Sequence, residues 1–135
     1  MNAVLLDTSA CIRLFGGDTP VRRAIAGADP VMVTVFTLGE LYAGYRGGTK
    51  FQQNVDMLHR FLAQSQAHVP EATVKTAEIF GSIMSGLRRA GTPLPVNDVW
   101  IAAQAMEHGA VVISYDRHFL KVPGLRVWPR LEFGT

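Results

Sequence analysis

Apolar positions along this chain follow two rhythms. Unbroken short runs, "AVLL" at Ala3 to Leu6, "VMVTV" at Val31 to Val35 and "AVVISYD" from Ala110, have the length and β-branched content of buried strands. Between them the apolar residues recur every three or four positions, as on a helix with one buried face. "TSACIRLF" predicts a helical turn closed by Gly16–Gly17. "TPVRRAIAG" predicts a helix with Thr19 as N-cap, Pro20 in the first position and Gly27 past the end. "FTLGELYAGYR" puts Leu38, Leu41, Tyr42 and Tyr45 on one face and stops at Gly47–Gly48. A helix from Phe51 to about Gln66 carries Val55, Leu58, Phe61 and Leu62, and another around residues 71–91 carries Ala77, Phe80, Ile83, Met84 and Leu87. After the breaker "GTPLP", Asn97 reads as the cap of a helix running from Asp98 to a stop at Gly109. "HVP" and "VPGLRVW" add short strands.

Strands that alternate with helices require crossover connections, hence an α/β fold with a mostly parallel sheet covered on both faces. No repeat, low-complexity tract or linker divides the chain, so residues 1–135 are expected to form a single domain. Sites in such sheets form beyond the carboxyl ends of the strands. That edge receives the acids. Asp7 directly follows the first strand and Asp116 follows "VVISY"; Glu40 lies in the first turns of the helix after the second strand, and Asp98 opens the helix that leads into the fourth. Ser114, two positions before Asp116, points to the same side for as long as the strand lasts.

Each acid also has a plain structural reading. Asp7 and Asp116 can cap the helices that follow them, Glu40 can be ordinary surface, and Asp98 sits where a helix dipole favours an acid. For Asp98 a capping role is redundant beside Asn97. All of these readings would have to hold independently at one end of one sheet. Clustered carboxylates repel unless a cation compensates them. Oxygen-only donors suit Mg²⁺ or Mn²⁺, and no Cys/His group has zinc spacing. His59, His68, His108 and His118 are dispersed and read as surface or satisfied core. A carboxylate-held Mg²⁺ acts on phosphates by polarising phosphoryl oxygen and lowering the pKa of a bound water.

The charge balance adds one point. A net charge of +2 does not establish nucleic-acid binding, but ten of the thirteen basic residues are arginines, including Arg22–Arg23 and Arg88–Arg89, and arginine grips phosphate in a bidentate fashion. With 48% hydrophobic and 18% charged residues the chain is a globule. No apolar run reaches membrane-span length, so no membrane partner is expected. The start "MNAVLLDTS" lacks the pattern of a signal peptide, and the single cysteine, Cys11, fits a reducing cytoplasm and a small buried hydrophobe.

The segments "LLDTSACIRLF", "TVFTLGELYAG" and "NDVWIAAQAMEHGAVVISYDRHFLKVPGLRV", in that order, resemble a PIN domain, specifically the ribonuclease toxin of a VapBC-type toxin–antitoxin pair. The similarity spans nearly the whole chain, most specifically in the opening "LLDTS" and the block from Asn97 to Val127. It implies a three-layer α/β/α sandwich with a sheet of four to five strands, and an acidic Mg²⁺ site that cuts RNA. Carried over by position, the family's acids are Asp7, Glu40, Asp98 and Asp116, with Thr8 and Ser114 as supporting hydroxyls; Ser114 stands where many members have threonine. Asp7, Asp98 and Asp116 would hold Mg²⁺, with Mn²⁺ able to substitute. Glu40 would bind a second ion or orient the attacking water. The resemblance further implies a structured tRNA or rRNA loop as target, a small cognate antitoxin and a homodimer.

Three other readings compete. A haloacid-dehalogenase-type phosphatase needs a second aspartate two residues after the first, where Ser9 stands, and a receiver domain needs a strand-end lysine paired with two acids. A catalytically silent PIN-like interaction module would not need the intact acid set.

Overall fold

The computed structural model describes residues 2–128; the ends of the predicted 1–135 domain, residue 1 and residues 129–135, lie outside the described residues. The elements are β1 (Val4–Leu6), α1 (Thr8–Phe15), α2 (Thr19–Ile25), β2 (Val31–Met32), α3 (Val35–Arg46), α4 (Phe51–Leu62) and β3 (Ala67–His68), then α5 (Val74–Ala90), α6 (Val96–Glu107), β4 (Val111–Ile113), a 3-10 turn (Arg117–Lys121) and β5 (Val127–Trp128). The five strands form one sheet in the order β3-β2-β1-β4-β5, and every pairing is parallel. The predicted sheet is therefore present, with five strands and no antiparallel member among the described residues.

Alternation within β1 divides the interior into two cores. Leu5 packs with Val99, Ile101, Ala102, Ile83 and Leu87 on the α5–α6 side. Val4 and Leu6 pack with Ala10, Cys11, Val21, Leu41, Leu58 and Phe61 on the side covered by α1–α4. All three β1 residues are buried, as the centre strand of a covered parallel sheet requires. The result is the expected α/β/α sandwich.

Several boundaries differ from the sequence-based expectation. The "VMVTV" run forms a strand only at Val31–Met32, because the Thr34 hydroxyl accepts the Thr37 N–H at 3.1 Å and caps α3, which begins at Val35. Asp18, and not Thr19, caps α2: its Oδ2 accepts the Val21 N–H at 3.0 Å, leaving Thr19 and Pro20 as the first helical residues. The helix from Phe51 ends at Leu62, short of Gln66, and β3 takes Ala67–His68 where "HVP" was expected. At the start of α5 Thr76 is buried and Ala77 is exposed, since the Thr76 hydroxyl donates to Glu107 of α6 at 2.6 Å. Of "VPGLRVW", only Val127–Trp128 form a strand.

The order of the sheet sets the site. Chain progression runs from β1 outward to β2 and β3, then returns to β4 on the other side of β1. The neighbours β1 and β4 thus flank a switch point, where α/β sheets open a crevice beyond their carboxyl ends. Asp7 and Ser114 are the first residues past those two strands.

Candidate active site

Asp7 is 2% exposed. Its Oδ1 accepts the Ala10 N–H at 2.8 Å, so it does cap α1, and also the Ser9 hydroxyl at 2.9 Å. Its Oδ2 accepts Ser9 at 3.1 Å and Ser114 at 2.6 Å. The capping and site readings of Asp7 are therefore not exclusive. Among the described residues no basic side chain reaches ion-pair distance of it. Burial raises the Asp7 carboxyl above its ordinary pKa and the charge of Asp116 adds to this, while the hydrogen bonds from Ser114, Ala10 and Ser9 oppose it.

Ser114 lies one residue beyond β4, so strand alternation does not set its direction. Its hydroxyl accepts the Asp116 N–H at 2.8 Å while donating to Asp7. That link turns the chain and presents Asp116, which is exposed, at the rim. Asp116 precedes the 3-10 turn but makes no side-chain cap there.

Asp98 corrects a second expectation. The helix starts at Val96 after Pro95 and has no side-chain cap, so Asn97 is not the N-cap and both Asn97 and Asp98 lie inside the first turn. Pro95 tolerates this place because the first N–H groups of a helix lack partners in any case. Asp98 is half-buried. Burial raises its pKa, the charges of Glu40 and Asp7 raise it further, and His118 pulls it down. Glu40 is exposed on α3, yet the Thr8 hydroxyl donates to its Oε1 at 2.7 Å and ties α3 to α1. Electrostatic coupling thus links Asp7 to Asp116, and Asp98 to both Glu40 and Asp7.

The structure also brings in a residue that the sequence reading set aside. His118 Nε2 lies 2.7 Å from Asp98 Oδ2, and Nδ1 lies 3.2 Å from Asp116 Oδ1. Donor atoms of Asp98, Asp116 and His118 all fall within 4.8 Å of one another. The available signal was the spacing Asp116-x-His118 after a strand. It was unreadable alone because Asp98 joins the group only through the fold.

The four coupled carboxylates, of which Asp7 and Asp98 are partly desolvated, face one imidazole, so this edge of the sheet is negatively charged. A small divalent cation fits that donor set. Ser9, at the position where a dehalogenase-type phosphatase needs a second acid, spends its hydroxyl on Asp7.

The PIN domain model matches residues 4–125. Ribonuclease VapC2 of Haemophilus influenzae is 31% identical over 100 residues, 73% of this chain and 74% of that protein. The tRNA(fMet)-specific endonuclease VapC of Salmonella typhimurium is 29% identical over 126 residues, 91% of this chain and 94% of that one. The crystal structure of DNA-bound VapBC from Salmonella typhimurium matches with a TM-score of 0.82 at 27% identity, covering 94% of this chain and 97% of that one. The chain belongs to the PIN-domain family, among its VapC-type ribonuclease toxins. The resemblance first drawn from "LLDTS" and the Asn97–Val127 block is thereby established.

Proposed function

We propose that this VapC-type endoribonuclease cuts RNA phosphodiester bonds with Mg²⁺ held by Asp7, Asp98 and Asp116, and that Mn²⁺ can replace it. The observation that carries this reading is the electrostatic coupling of Asp7 with Asp116 and of Asp98 with Glu40 and Asp7 beside the switch point, with His118 against Asp98 and Asp116. When bound, such an ion supplies Lewis acidity toward a phosphoryl oxygen and an acidified water.

The chain's own residues do the positioning. Ser9, Ser114 and the Ala10 N–H fix the Asp7 carboxylate. Thr8 holds Glu40 at the exposed rim, where its carboxylate orients the attacking water and takes up its proton. Arginines such as Arg117, adjacent to Asp116 and exposed, grip the RNA backbone. The target is a tRNA or rRNA loop, whose unstacked bases leave the backbone accessible.

A small cognate antitoxin restrains the enzyme, in keeping with the VapBC complexes that the chain resembles. A cationic antitoxin side chain offered to the carboxylates fits their charge. The working form is a homodimer in the cytoplasm. No helix among the described residues is long and apolar enough to cross a membrane.

The test is incubation of metal-stripped protein with RNA, with and without Mg²⁺, beside a chromogenic phosphate monoester. RNA cleavage restored by Mg²⁺, with the monoester untouched, is the expected result. Metal-independent cleavage would overturn the proposal.

A further inference from the structure

We propose that Arg13 binds a phosphate of the RNA substrate beside the acidic site, held there by the ring of Tyr115. This names a backbone contact for the endoribonuclease reading above and rests on it.

The four acids that carry the chemistry also repel the substrate, since a polyanion approaching them meets charge of its own sign. Holding RNA there needs positive charge at the flank. A net charge of +2 spread over the whole chain does not supply that field. Arg13 supplies it locally. Its guanidinium carbon lies 4.2 Å from the centre of the Tyr115 ring. Tyr115 in turn stands between Ser114, which donates to Asp7, and the rim acid Asp116.

The cation is placed in advance. The Tyr115 hydroxyl donates to Asp18 Oδ2 at 2.9 Å, and its ring meets Trp128 edge-on with centroids 5.5 Å apart. Asp18 is itself fixed as the cap of α2. Tyr115 is therefore a firm platform, and an arginine stacked on it has less freedom left to lose on meeting a phosphate.

Stacking does not use the cation up. Nη1 lies 4.0 Å from Asp18 Oδ1, too far for a hydrogen bond, while Oδ2 is engaged by the Val21 N–H and the Tyr115 hydroxyl. The ring covers one face of the guanidinium, and the N–H donors lie at its edge. The Arg13 side chain is 54% exposed, so that edge is open to a ligand. A planar fork of N–H groups matches two oxygens of one phosphate. Arg117, exposed and directly after Asp116, gives this acid a second cation beside its other chain neighbour.

The test is binding of a fluorescently labelled RNA hairpin to the full chain in chelator, over a salt series, for the parent, Arg13→Ala, Arg13→Lys and Tyr115→Phe. Mg²⁺ titration and single-turnover cleavage at saturating protein follow for each. Arg13→Ala should weaken RNA binding by about tenfold, the scale of one charge-assisted contact. Its log–log salt slope should be shallower by about 0.7. Mg²⁺ affinity and the cleavage rate of the saturated complex should stay at the parent's. Arg13→Lys keeps the charge without the stacked fork, so it should hold the slope and lose part of the affinity. Tyr115→Phe keeps the ring and should bind RNA like the parent. Parental RNA affinity and slope in Arg13→Ala would overturn the assignment, and cleavage still present in Mg²⁺ would leave the endoribonuclease reading standing. A loss of Mg²⁺ affinity or of saturated rate in Arg13→Ala would overturn it too, because the residue would then act through the Asp116 segment. Weakened binding of a labelled oligoglutamate peptide with RNA binding intact would give the cation to an acidic protein partner and overturn it as well. A parent that neither binds nor cuts the RNA would sink both readings.

Discussion

Ser114 Oγ donates to Asp7 Oδ2 at 2.6 Å across 107 positions of sequence, joining the carboxyl ends of β1 and β4 at the switch point. The same oxygen accepts the Asp116 N–H at 2.8 Å. One hydroxyl therefore sets the spacing of two of the acids. Ser114→Ala leaves a buried carboxylate short of a donor, which costs about 1–3 kcal/mol of stability. It should also lower metal affinity and RNA cleavage by about 10–100-fold. Ser114→Thr keeps the hydroxyl and should restore most of both. Denaturation and metal titration of the two variants check this.

The raised pKa values of Asp7 and Asp98 make metal-free stability depend on pH. A carboxyl raised on folding stabilises the fold while protonated and loses that contribution as pH climbs through the folded-state value. Metal-free protein should therefore lose stability as pH rises from the ordinary carboxyl value of 3.8 toward neutrality. Mg²⁺ should flatten the slope. Urea denaturation across that range, with chelator and then with Mg²⁺, measures it; a rising stability without metal would contradict the desolvation account.

Cys11 is fully buried, and burial pushes its thiol pKa far up, with the charge of Asp7 adding to the effect. It should resist alkylation at mildly alkaline pH in the folded protein and react only on unfolding. Rapid labelling of native protein by iodoacetamide would contradict this.

Glu40→Gln preserves an acceptor for the Thr8 hydroxyl and removes the charge. Loss of a proton acceptor at the rim should slow cleavage by about 100-fold or more, the scale of general-base catalysis. RNA affinity should hold or rise, because one negative charge facing the backbone is gone. Single-turnover kinetics separates the two quantities.

If arginines grip the RNA, affinity should fall with salt at a log–log slope of about −0.7 per phosphate contact on single strands. Arg117→Ala should make that slope shallower by about one contact. A slope near zero in the parent would remove the basic-surface argument.

Much of this was legible because strands and helices here carry their usual signals. "AVLL" and "VVI" lie where the apolar runs placed them, and Asp7 and Asp116 follow them because parallel strands must end at one edge. Helix starts were read less well. Thr34 sits in a β-branched run that reads as strand, but β3 pairs with only Val31 and Met32, and beyond them a hydroxyl can cap a helix. Asn97 looked like a cap by residue type, yet Pro95 starts the helix earlier and carries Asp98 into its first turn. His118 carries a local signal in the Asp116-x-His118 spacing, but its other partner, Asp98 on α6, joins it only through the fold.

The most direct measurement of the central claim is RNA cleavage by Asp98→Asn at limiting Mg²⁺, read beside its melting temperature. Asp98 caps nothing, so the amide forfeits a dipole contribution of about 0.3–1 kcal/mol and the charge pairing with His118, both offset in the metal-free protein by relief of the burial penalty and of repulsion from Glu40 and Asp7. The account predicts a variant that folds, melts at or above the parent without metal, and cuts RNA at least about tenfold more slowly. A folded variant with parental cleavage at limiting Mg²⁺ would contradict it.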